Sequence, residues 1–410
     1  MDDKNQNKIE VSVRMVEKWV EEHDYKGYEP FDGLSSTFRP LTFGNLLLDR
    51  LLLQLIRQSP INLRPLFGVK PLDSTIGRGY MAWGYCHMFM ITGDQRYRGK
   101  TDACLQWLVE NRSSGYQEFS WGKHFDFASR SGLYKAFEPI LIWTALIAHA
   151  FLEAYETFGD RKYLEVANSV CKWILRLPRN KTEFGFCIGY HNQDFTADIH
   201  NSNMVGAAVL ARTAKHLFNE EYLTVAKEAI TFSCSRQLPS GAWLYGEHSR
   251  NHWIDNFHTG YNLDALKCYM DYSGDRQYEN KLEKGLDFYK KNFFEENGRP
   301  KYYHNRAYPI DSQCIAQAIE TLANLSDYDP SILMLAIKVT NWAIDNMRDK
   351  MGYFYYREYP FIRAKTPMLH WAQATTYNAL SVLLMKLTID RDRAQHGRER
   401  IWDVNKTLYH

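Results

Sequence analysis

The sequence predicts an all-α fold, an (α/α)6 toroid in which six outer helices surround six inner helices. Three observations predict it: a motif that recurs along the chain, a glycine after each copy, and an apolar helical stretch after each glycine. A pattern that recurs in this way indicates a repeated structural unit, and neighbouring units stack to bury a continuous core. Each repeat is therefore interpreted as one outer and one inner helix.

The recurring motif has the form Gly-Asp-x-x-Tyr, with a second aromatic residue ten positions after the tyrosine. Complete copies occupy residues 93–107, 159–173 and 274–288, and shortened copies occupy residues 9–19, 222–232 and 332–342. The aspartate can accept hydrogen bonds from the first turn of a helix, and the two aromatic side chains fall within one buried face. The six copies thus predict six outer helices.

A glycine follows the last aromatic residue of each copy, at positions 27, 115, 185, 241, 298 and 352. Glycine readily adopts the left-handed conformation that ends a helix, so these positions predict the ends of the outer helices. Apolar stretches further along the chain predict inner helices at residues 75–91, 138–157, 200–217, 258–272, 311–325 and 369–388.

The first repeat is longer than the others. Its surplus, L-T-F-G-N-L-L-L-D-R-L-L-L-Q-L-I at residues 42–57, predicts an extra helix. A count of thirteen helices leaves a seven-hairpin barrel as the alternative fold. We expect a single domain over residues 1–410 with an insertion at about 42–73, and short β-hairpins in the rim loops, for example around residues 302–303 and 353–356.

The composition narrows the classes of function. The chain has 50 basic and 48 acidic residues, a balance that argues against a dedicated nucleic-acid-binding protein. It contains no glycine-rich phosphate loop and no dinucleotide-binding fingerprint. The 15% aromatic content is typical both of a large core and of platforms on which sugar rings stack.

The cysteines and the N-terminus predict a cytoplasmic location. Seven scattered cysteines without a Cys-x-x-Cys motif indicate reduced thiols. The segment M-D-D-K-N-Q-N-K is hydrophilic, so no secretory signal is expected, and no run of 18 uncharged apolar residues predicts a transmembrane span.

No metal or other cofactor is expected. His248 and His252 would suit a metal only on a helix, whereas Gly246 before them predicts a loop. The separation of His191 and His200 matches no standard zinc signature.

The predicted toroid places the loops that lead from outer to inner helices at one end of the barrel. The inner helices begin there and present partial positive charge. Eight of the fourteen histidines lie in or next to these loops, at positions 124, 191, 200, 248, 252, 258, 304 and 370. This rim is therefore the predicted site, and its residue types are typical of a carbohydrate groove.

The densest loop, residues 243–263, supplies most of the predicted catalytic residues. His258 and Tyr261 are three residues apart and would share one face at the start of the fourth inner helix. His248 and Asp255 are further candidates, although a helix-capping role explains Asp255 equally well. From the second loop we add Asp126, which would face the same side as His124 on an extended segment.

The predicted substrate-binding residues combine rings that can stack on sugars with side chains that can bind anionic groups. Arginine binds a carboxylate through two parallel hydrogen bonds, so the basic and aromatic sixth loop predicts an anionic sugar such as a uronate. The predicted binding residues are Trp121, His124, Arg130, His191, His200, Trp243, His304, Arg357, Arg363, His370 and Trp371.

Four motifs carry a family resemblance. They are G-Y-E-P-F-D-G-L from position 27, S-W-G-K-H-F-D-F-A-S-R from 120, H-W-I-D-N-F-H-T-G-Y-N-L from 252 and K-T-P-M-L-H-W-A-Q-A from 365. They resemble polysaccharide-biosynthesis proteins of the VpsJ type, which are more distantly similar to the helical domain of D-glucuronyl C5-epimerases and to six-hairpin glycosidases. The resemblance implies an (α/α)6 fold and a surface-polysaccharide setting. His370 stands where the family pattern suggests arginine.

Three functions remain open from the sequence. The first is proton transfer on a uronate, as in C5 epimerisation or elimination, and the excess of histidine and arginine over carboxylates in the rim favours it. The second is inverting glycoside hydrolysis, which needs two carboxyl groups about 6.5–9.5 Å apart; its candidates are Asp126, Asp198, Glu247 and Asp255. The third is a non-catalytic glycan-binding or scaffold protein. The expected partners are an oligosaccharide or polysaccharide, free or lipid-linked, and other polysaccharide-assembly proteins.

Overall fold

Twelve helices form two concentric rings in the computed structural model, which describes residues 3–129, 132–194 and 198–396. The inner helices are α3 (Thr75–Thr92), α5 (Leu141–Phe158), α7 (His200–Leu217), α9 (Asn256–Ser273), α11 (Ser312–Asn324) and α13 (Thr375–His396), the last preceded by a π-helical turn at Leu369–Ala374. The outer helices are α1 (Asp3–Glu22), α4 (Gln95–Glu110), α6 (Arg161–Arg176), α8 (Glu220–Ser235), α10 (Glu279–Asn292) and α12 (Ser331–Met347).

The inner ring closes on itself. Each inner helix packs against the next, and α13 packs against α3. Each inner helix also pairs with the outer helix that follows it, and α13 pairs with α1, so the first and last helices of the chain complete the sixth hairpin. The predicted (α/α)6 toroid is confirmed.

The two rings differ in polarity because they differ in surroundings. Helix α5 is apolar on nearly every face and is buried along most of its length, as expected for a helix enclosed by others. Helix α6 is amphipathic and buries the face that carries Tyr163 and Trp173, the two aromatic residues of its motif. Asp160 caps α6 by accepting a hydrogen bond from the Lys162 backbone.

The glycines of the rim loops have a different role from the predicted one. Five of the six adopt positive φ, as Gly241 does at 93°, but all six lie several residues after the outer helices have ended. A Cβ at Gly241 would lie 2.2 Å from the carbonyl oxygen of Lys284 in the next outer helix. Gly185, Gly298 and Gly352 make equivalent close approaches to the following outer helix. These glycines therefore fit each loop against its neighbour rather than ending a helix.

The predicted extra helix is α2 (Leu46–Gln58), and the ring of six hairpins excludes the seven-hairpin alternative. Helix α2 does not enter either ring. It packs instead on the 3-10 turn at Asp32–Ser35 and on the short strand Phe127–Ala128, at the rim of the barrel.

Short antiparallel strands occur in the rim loops, as predicted. They are β1 (Lys26–Gly27) with β2 (Leu72–Asp73), β3 (Phe127–Ala128) with β4 (Leu133–Tyr134), β5 (Arg179–Thr182) with β6 (Gly185–Ile188), and a three-stranded sheet of β7 (Ile310–Asp311), β8 (Arg357–Glu358) and β9 (Arg363–Ala364). The locations predicted around residues 302–303 and 353–356 were wrong, because Tyr303 and Phe354 form only isolated bridges. Within the described residues, no helix is both long and apolar enough to cross a bilayer.

Candidate active site

A cavity of about 1480 Å³ opens at the rim, where the inner helices begin. The first turns of all six inner helices contribute to its wall, through Ile76, Trp143, Asn201, His258 and Gln313 and through the π-helical turn before α13. The loops add an aromatic lining that includes Phe31, Phe127, Tyr190, Tyr245 and Tyr302. Its polar groups and rings suit a ligand that has both apolar faces and hydroxyl groups.

One histidine of the wall is oriented by a buried carboxylate within its own helix start. Asp255 caps α9 by accepting a hydrogen bond from the His258 backbone at 3.0 Å, and its other oxygen lies 2.6 Å from His258 Nδ1. The Trp253 indole N–H donates to that second oxygen at 2.8 Å. Asp255 is therefore both a helix cap and the partner of the histidine, which unites the two roles that the sequence left open.

A second histidine has the same arrangement, built from distant parts of the chain. His370 Nδ1 lies 2.8 Å from Glu29 Oε2, and the His370 backbone N–H donates to Glu29 Oε1 at 3.3 Å. Both side chains are buried. The His370 ring stacks on Tyr80 and lies 5.2 Å from the Trp143 ring.

The carboxylates determine which nitrogen of each ring is available for chemistry. An ionised carboxylate can only accept hydrogen bonds, so Nδ1 of His258 and of His370 carries the proton. Nε2 is then a basic lone pair. Neither Nε2 has a hydrogen-bond partner among the described residues, and both side chains line the cavity. Such oriented imidazoles are suited to general acid–base catalysis.

Lys123 is the third chemically notable residue of the wall. Its ammonium lies 3.5 Å from the centre of the Phe127 ring, and within 5 Å of the Trp143 and Phe31 ring centres. Burial lowers the pKa of Lys123 to about 7, against the opposing attraction of Glu29. Its charge can therefore change near neutral pH.

Several buried polar atoms of the wall are left without a protein partner. They are Trp143 Nε1, Gln313 Oε1 and Asn201 Oδ1. Burying an unpaired polar group is costly, so such atoms are suited to donors and acceptors of a bound ligand. Among the described residues, no three His, Cys, Asp or Glu side chains are grouped to hold a metal ion.

Seven of the predicted site residues line the cavity: Tyr261, Asp255, His258, His191, Arg357, His370 and Trp371. Asp311 holds two of them, since it accepts a hydrogen bond from Trp371 Nε1 at 2.7 Å and pairs with Arg357. The Tyr261 hydroxyl is engaged with Tyr80 and with Gln313, each at 2.9 Å, rather than directed to an open position.

The two tryptophans predicted to stack on sugar lie in the core instead. Trp121 is fully buried and donates its indole N–H to the Leu108 carbonyl at 2.8 Å. Trp243 is buried as well and donates to the Ser233 carbonyl at 2.8 Å. Protein atoms cover both rings, so no face is left for a ligand, and this part of the prediction is corrected.

Three predicted residues of the second and sixth loops do not line the cavity. Asp126 pairs with Arg39 at 2.9 Å, and His124 Nδ1 bonds the Asp73 carbonyl at 2.6 Å. Arg363 is exposed and pairs with Glu358 at 2.6 Å. Arg130 lies outside the described residues.

Three further histidines are also outside the cavity wall. His200 is buried between Ser233 and Glu247, at 3.2 and 2.9 Å. His248 is exposed and caps a short 3-10 turn, and His304 Nδ1 lies 3.3 Å from the Ile254 carbonyl. Each lies in or next to a rim loop, as predicted, but none of the three lines the cavity.

Glu29 and Lys123 were not among the predicted site residues. Both occur in motifs that carry the family resemblance, at the start of the first loop and in S-W-G-K-H-F-D. A lysine between aromatic residues was the available signal for Lys123. No local signal pairs Glu29 with His370, which lies 341 positions away.

No protein-family model matches the chain, and no curated protein matches it in sequence. Solved structures share its fold. A cellobiose 2-epimerase from Bacillus thermoamylovorans is 12% identical with a TM-score of 0.60, over 77% of this chain and 88% of that one. A family 76 glycoside hydrolase, an α-mannanase from Bacteroides thetaiotaomicron, is 12% identical with a TM-score of 0.61, over 79% and 89%.

A D-mannose isomerase is also 12% identical, with a TM-score of 0.58 over 77% of this chain and 87% of that one. Identities this low show a common fold alone. That fold is the (α/α)6 toroid, in agreement with the helix rings described above.

Proposed function

We propose that this protein is a carbohydrate-active enzyme that transfers a proton to and from a sugar carbon. The observation that carries the proposal is the pair of histidines, His258 and His370, each oriented by a buried carboxylate and each with Nε2 open to one cavity. Two such groups supply what an epimerisation needs: one base and one acid on different sides of the reacting carbon.

The reaction follows from the two protonation states. Nε2 of one histidine removes the proton from a carbon next to a carboxylate or carbonyl group, and the C–H electron pair moves onto that group as an enolate. The other histidine, protonated on Nε2, returns a proton to the opposite face of the same carbon. The product is the epimer. If the substituent at the neighbouring carbon leaves before reprotonation, the same enolate gives an unsaturated sugar.

The cationic side of the cavity supports an anionic substrate. Lys123, Arg57 and Arg50 line the cavity, and the Arg57 guanidinium and the Lys123 ammonium lie 4.3 and 4.8 Å from the Phe31 ring centre. A proton next to a carboxylate is weakly acidic, so nearby cations that stabilise the enolate charge lower the barrier. This favours a uronate over a neutral sugar.

The comparisons support the class of chemistry. Two proteins of the same fold are a cellobiose 2-epimerase and a D-mannose isomerase, and both names describe rearrangement of a sugar. The resemblance to VpsJ-type proteins favours a glycan of a surface polysaccharide as the substrate, with C5 of a uronate as the reacting carbon.

The test is NMR of uronate-containing and neutral oligosaccharides incubated with the protein in D₂O. We expect deuterium to enter at C5 of the uronate. His258→Asn and His370→Asn should each slow this exchange by about 10²-fold or more, since general acid–base groups contribute on that scale. His248→Asn is the matched control, because that histidine lies in the same loop as His258 but outside the cavity, and its exchange rate should equal that of the unmodified protein.

Other products would contradict the proposed epimerisation and indicate a different reaction. A 4,5-unsaturated sugar would indicate elimination, and new reducing ends without deuterium would indicate hydrolysis. Hydrolysis is the second candidate, because Glu138, Asp194 and Asp198 line another part of the cavity and the α-mannanase shares the fold. Binding without any change in the glycan would indicate a carbohydrate-binding or scaffold protein.

A further inference from the structure

The insertion at the rim exposes an unusually large apolar surface. Most of the large exposed hydrophobic side chains among the described residues fall between positions 38 and 66. They are Phe38, Leu41, Phe43, Leu46, Leu47, Leu48, Leu51, Leu55, Ile61 and Leu66. We call these ten residues the leucine surface. Five of them lie on α2, and exposed apolar side chains grouped in this way indicate a contact with a membrane or with another protein.

The leucine surface is free of charge. Five charged residues occur between positions 37 and 66, and none is exposed. Asp49 and Arg64 are buried and bonded to Thr42 and Asp32, and Arg39 pairs with Asp126. The other two, Arg50 and Arg57, are turned to the cavity side of α2.

The turn before α2 holds an aromatic side chain outward. Phe43 has a φ of 53° and a relative exposure of 88%, and Gly44 follows with a φ of 70°. A left-handed conformation is unfavourable for an aromatic residue. Its position at the tip of the leucine surface is therefore not explained by packing within the protein.

The polar groups of this surface distinguish a lipid layer from a protein partner. Its exposed polar side chains are Thr37, Asn45 and Gln58, and each already makes a hydrogen bond within the protein. A protein interface needs roughly one hydrogen bond per 100–200 Å², which this surface is poorly equipped to supply. The hydrocarbon of a lipid layer needs none.

We propose that the leucine surface binds a lipid layer, with Phe43 and the outer leucines of α2 inserted among the acyl chains. The inference goes beyond the proposed function, because lipid binding requires no substrate. It also has a consequence that rests on that function. Arg50 and Gln54 line the cavity from the neighbouring face of the same helix. A lipid layer would thus lie within about one helix diameter, roughly 10 Å, of the cavity, and saccharides attached to lipid would be the accessible substrates.

The test is flotation of the full chain with phosphatidylcholine vesicles on a density gradient. The triple variant Leu47→Glu, Leu51→Glu, Leu55→Glu places charge on the surface and leaves the buried Leu53 and Ile56 in place. The matched control changes three exposed apolar residues elsewhere, Phe218→Glu, Met334→Glu and Met351→Glu. Circular dichroism during heating confirms that both variants fold.

We expect the unmodified protein and the control to float with the vesicles, and the triple variant to bind at least about tenfold less, since burying apolar area drives the contact. Salt of about 1 M, which screens surface charges, should leave the binding intact. Failure of the unmodified protein to float, or equal flotation of the triple variant, would overturn the proposal. So would a dimer, detected by light scattering, that the triple variant separates, because a second copy would then cover the surface.

Discussion

The two ends of the barrel carry similar residues, but these residues pair with one another at one end and face an open cavity at the other. At the far end, where the inner helices finish, His87, His149 and His216 surround Arg212 and two glutamates. At the cavity end, His258 and His370 meet two carboxylates. Both ends thus concentrate histidines and acids inside the ring, and residue type alone does not distinguish them.

The far end is a closed network. Arg212 donates to Glu153 and Glu156, and Glu156 also accepts hydrogen bonds from His216 and Tyr272. Although burial alone would raise it, the charge of Arg212 holds the pKa of Glu153 below its usual range. Burial and the same guanidinium lower the pKa of His149 to about 3. The charged groups here are paired with one another, and the network joins helices α3, α5, α7 and α9.

The cavity end uses its carboxylates differently. Each one holds a single ring nitrogen and leaves the other facing open volume. The comparison indicates what distinguishes a functional site. It is a side chain that is held in one orientation and still has an atom without a hydrogen-bond partner, next to a cavity that can hold a ligand. A cluster with its charges fully paired is structural, however dense it is.

The largest effect should come from breaking the far-end network. Arg212→Met leaves Glu153 and Glu156 buried without their counter-charge, and we expect a loss of about 3–5 kcal/mol in the free energy of unfolding, measured by urea denaturation. The control Arg96→Met removes an exposed arginine and should change stability by less than about 0.5 kcal/mol. A loss below about 1 kcal/mol for Arg212→Met would show that the network is not a structural unit.

The next largest effect tests whether Asp255 orients the His258 ring for proton transfer. Asp255→Asn keeps a cap for α9 but no longer forces the proton onto His258 Nδ1. We expect ¹⁵N NMR of the imidazole to show a mixture of tautomers, and proton transfer to slow by about 10²-fold, or about 2.7 kcal/mol. Asp94→Asn, at the start of an outer helix, is the control and should leave both unchanged. An unaltered His258 spectrum would contradict the orienting role.

A smaller effect tests the buried cation of the cavity. Burial lowers the pKa of Lys123 to about 7, whereas the unfolded chain keeps its lysine protonated up to about 10.5. Between these values the unfolded state binds more protons, so this group makes the protein more stable as pH rises. Relative to Lys123→Met, the unmodified protein should gain about 2 kcal/mol of unfolding free energy from pH 7 to 9. The exposed Lys135→Met should lack this difference, and a difference of the opposite sign would exclude a depressed pKa.

The smallest effect concerns Tyr261. Its hydroxyl bonds Tyr80 and Gln313, so Tyr261→Phe should cost about 1 kcal/mol of stability in thermal or urea unfolding. Proton transfer should fall much less than in His258→Asn, because the hydroxyl is already engaged. A loss of activity as large as that of His258→Asn would indicate that Tyr261 is a catalytic residue.

The rings of helices were predictable because their signals are local. The Gly-Asp-x-x-Tyr motif combines a cap and two aromatic residues within one stretch of chain, and α7 begins and ends at the predicted residues 200 and 217. The place of His258 at the cavity was predictable for the same reason, since the repeat puts it at the start of an inner helix. Helix α2 was predictable from its run of leucines.

Tertiary structure decided what these elements face. Trp121 and Trp371 both lie in aromatic rim loops of the sequence, yet Trp121 is buried in the core and Trp371 lines the cavity. Glu29 meets His370 only because the ring brings the first loop beside the last inner helix. The leucines of α2 could equally have been buried, but the completed ring leaves that helix on the rim with one face uncovered. Helix formation depends on neighbours along the chain, whereas burial and pairing depend on which distant segments pack together.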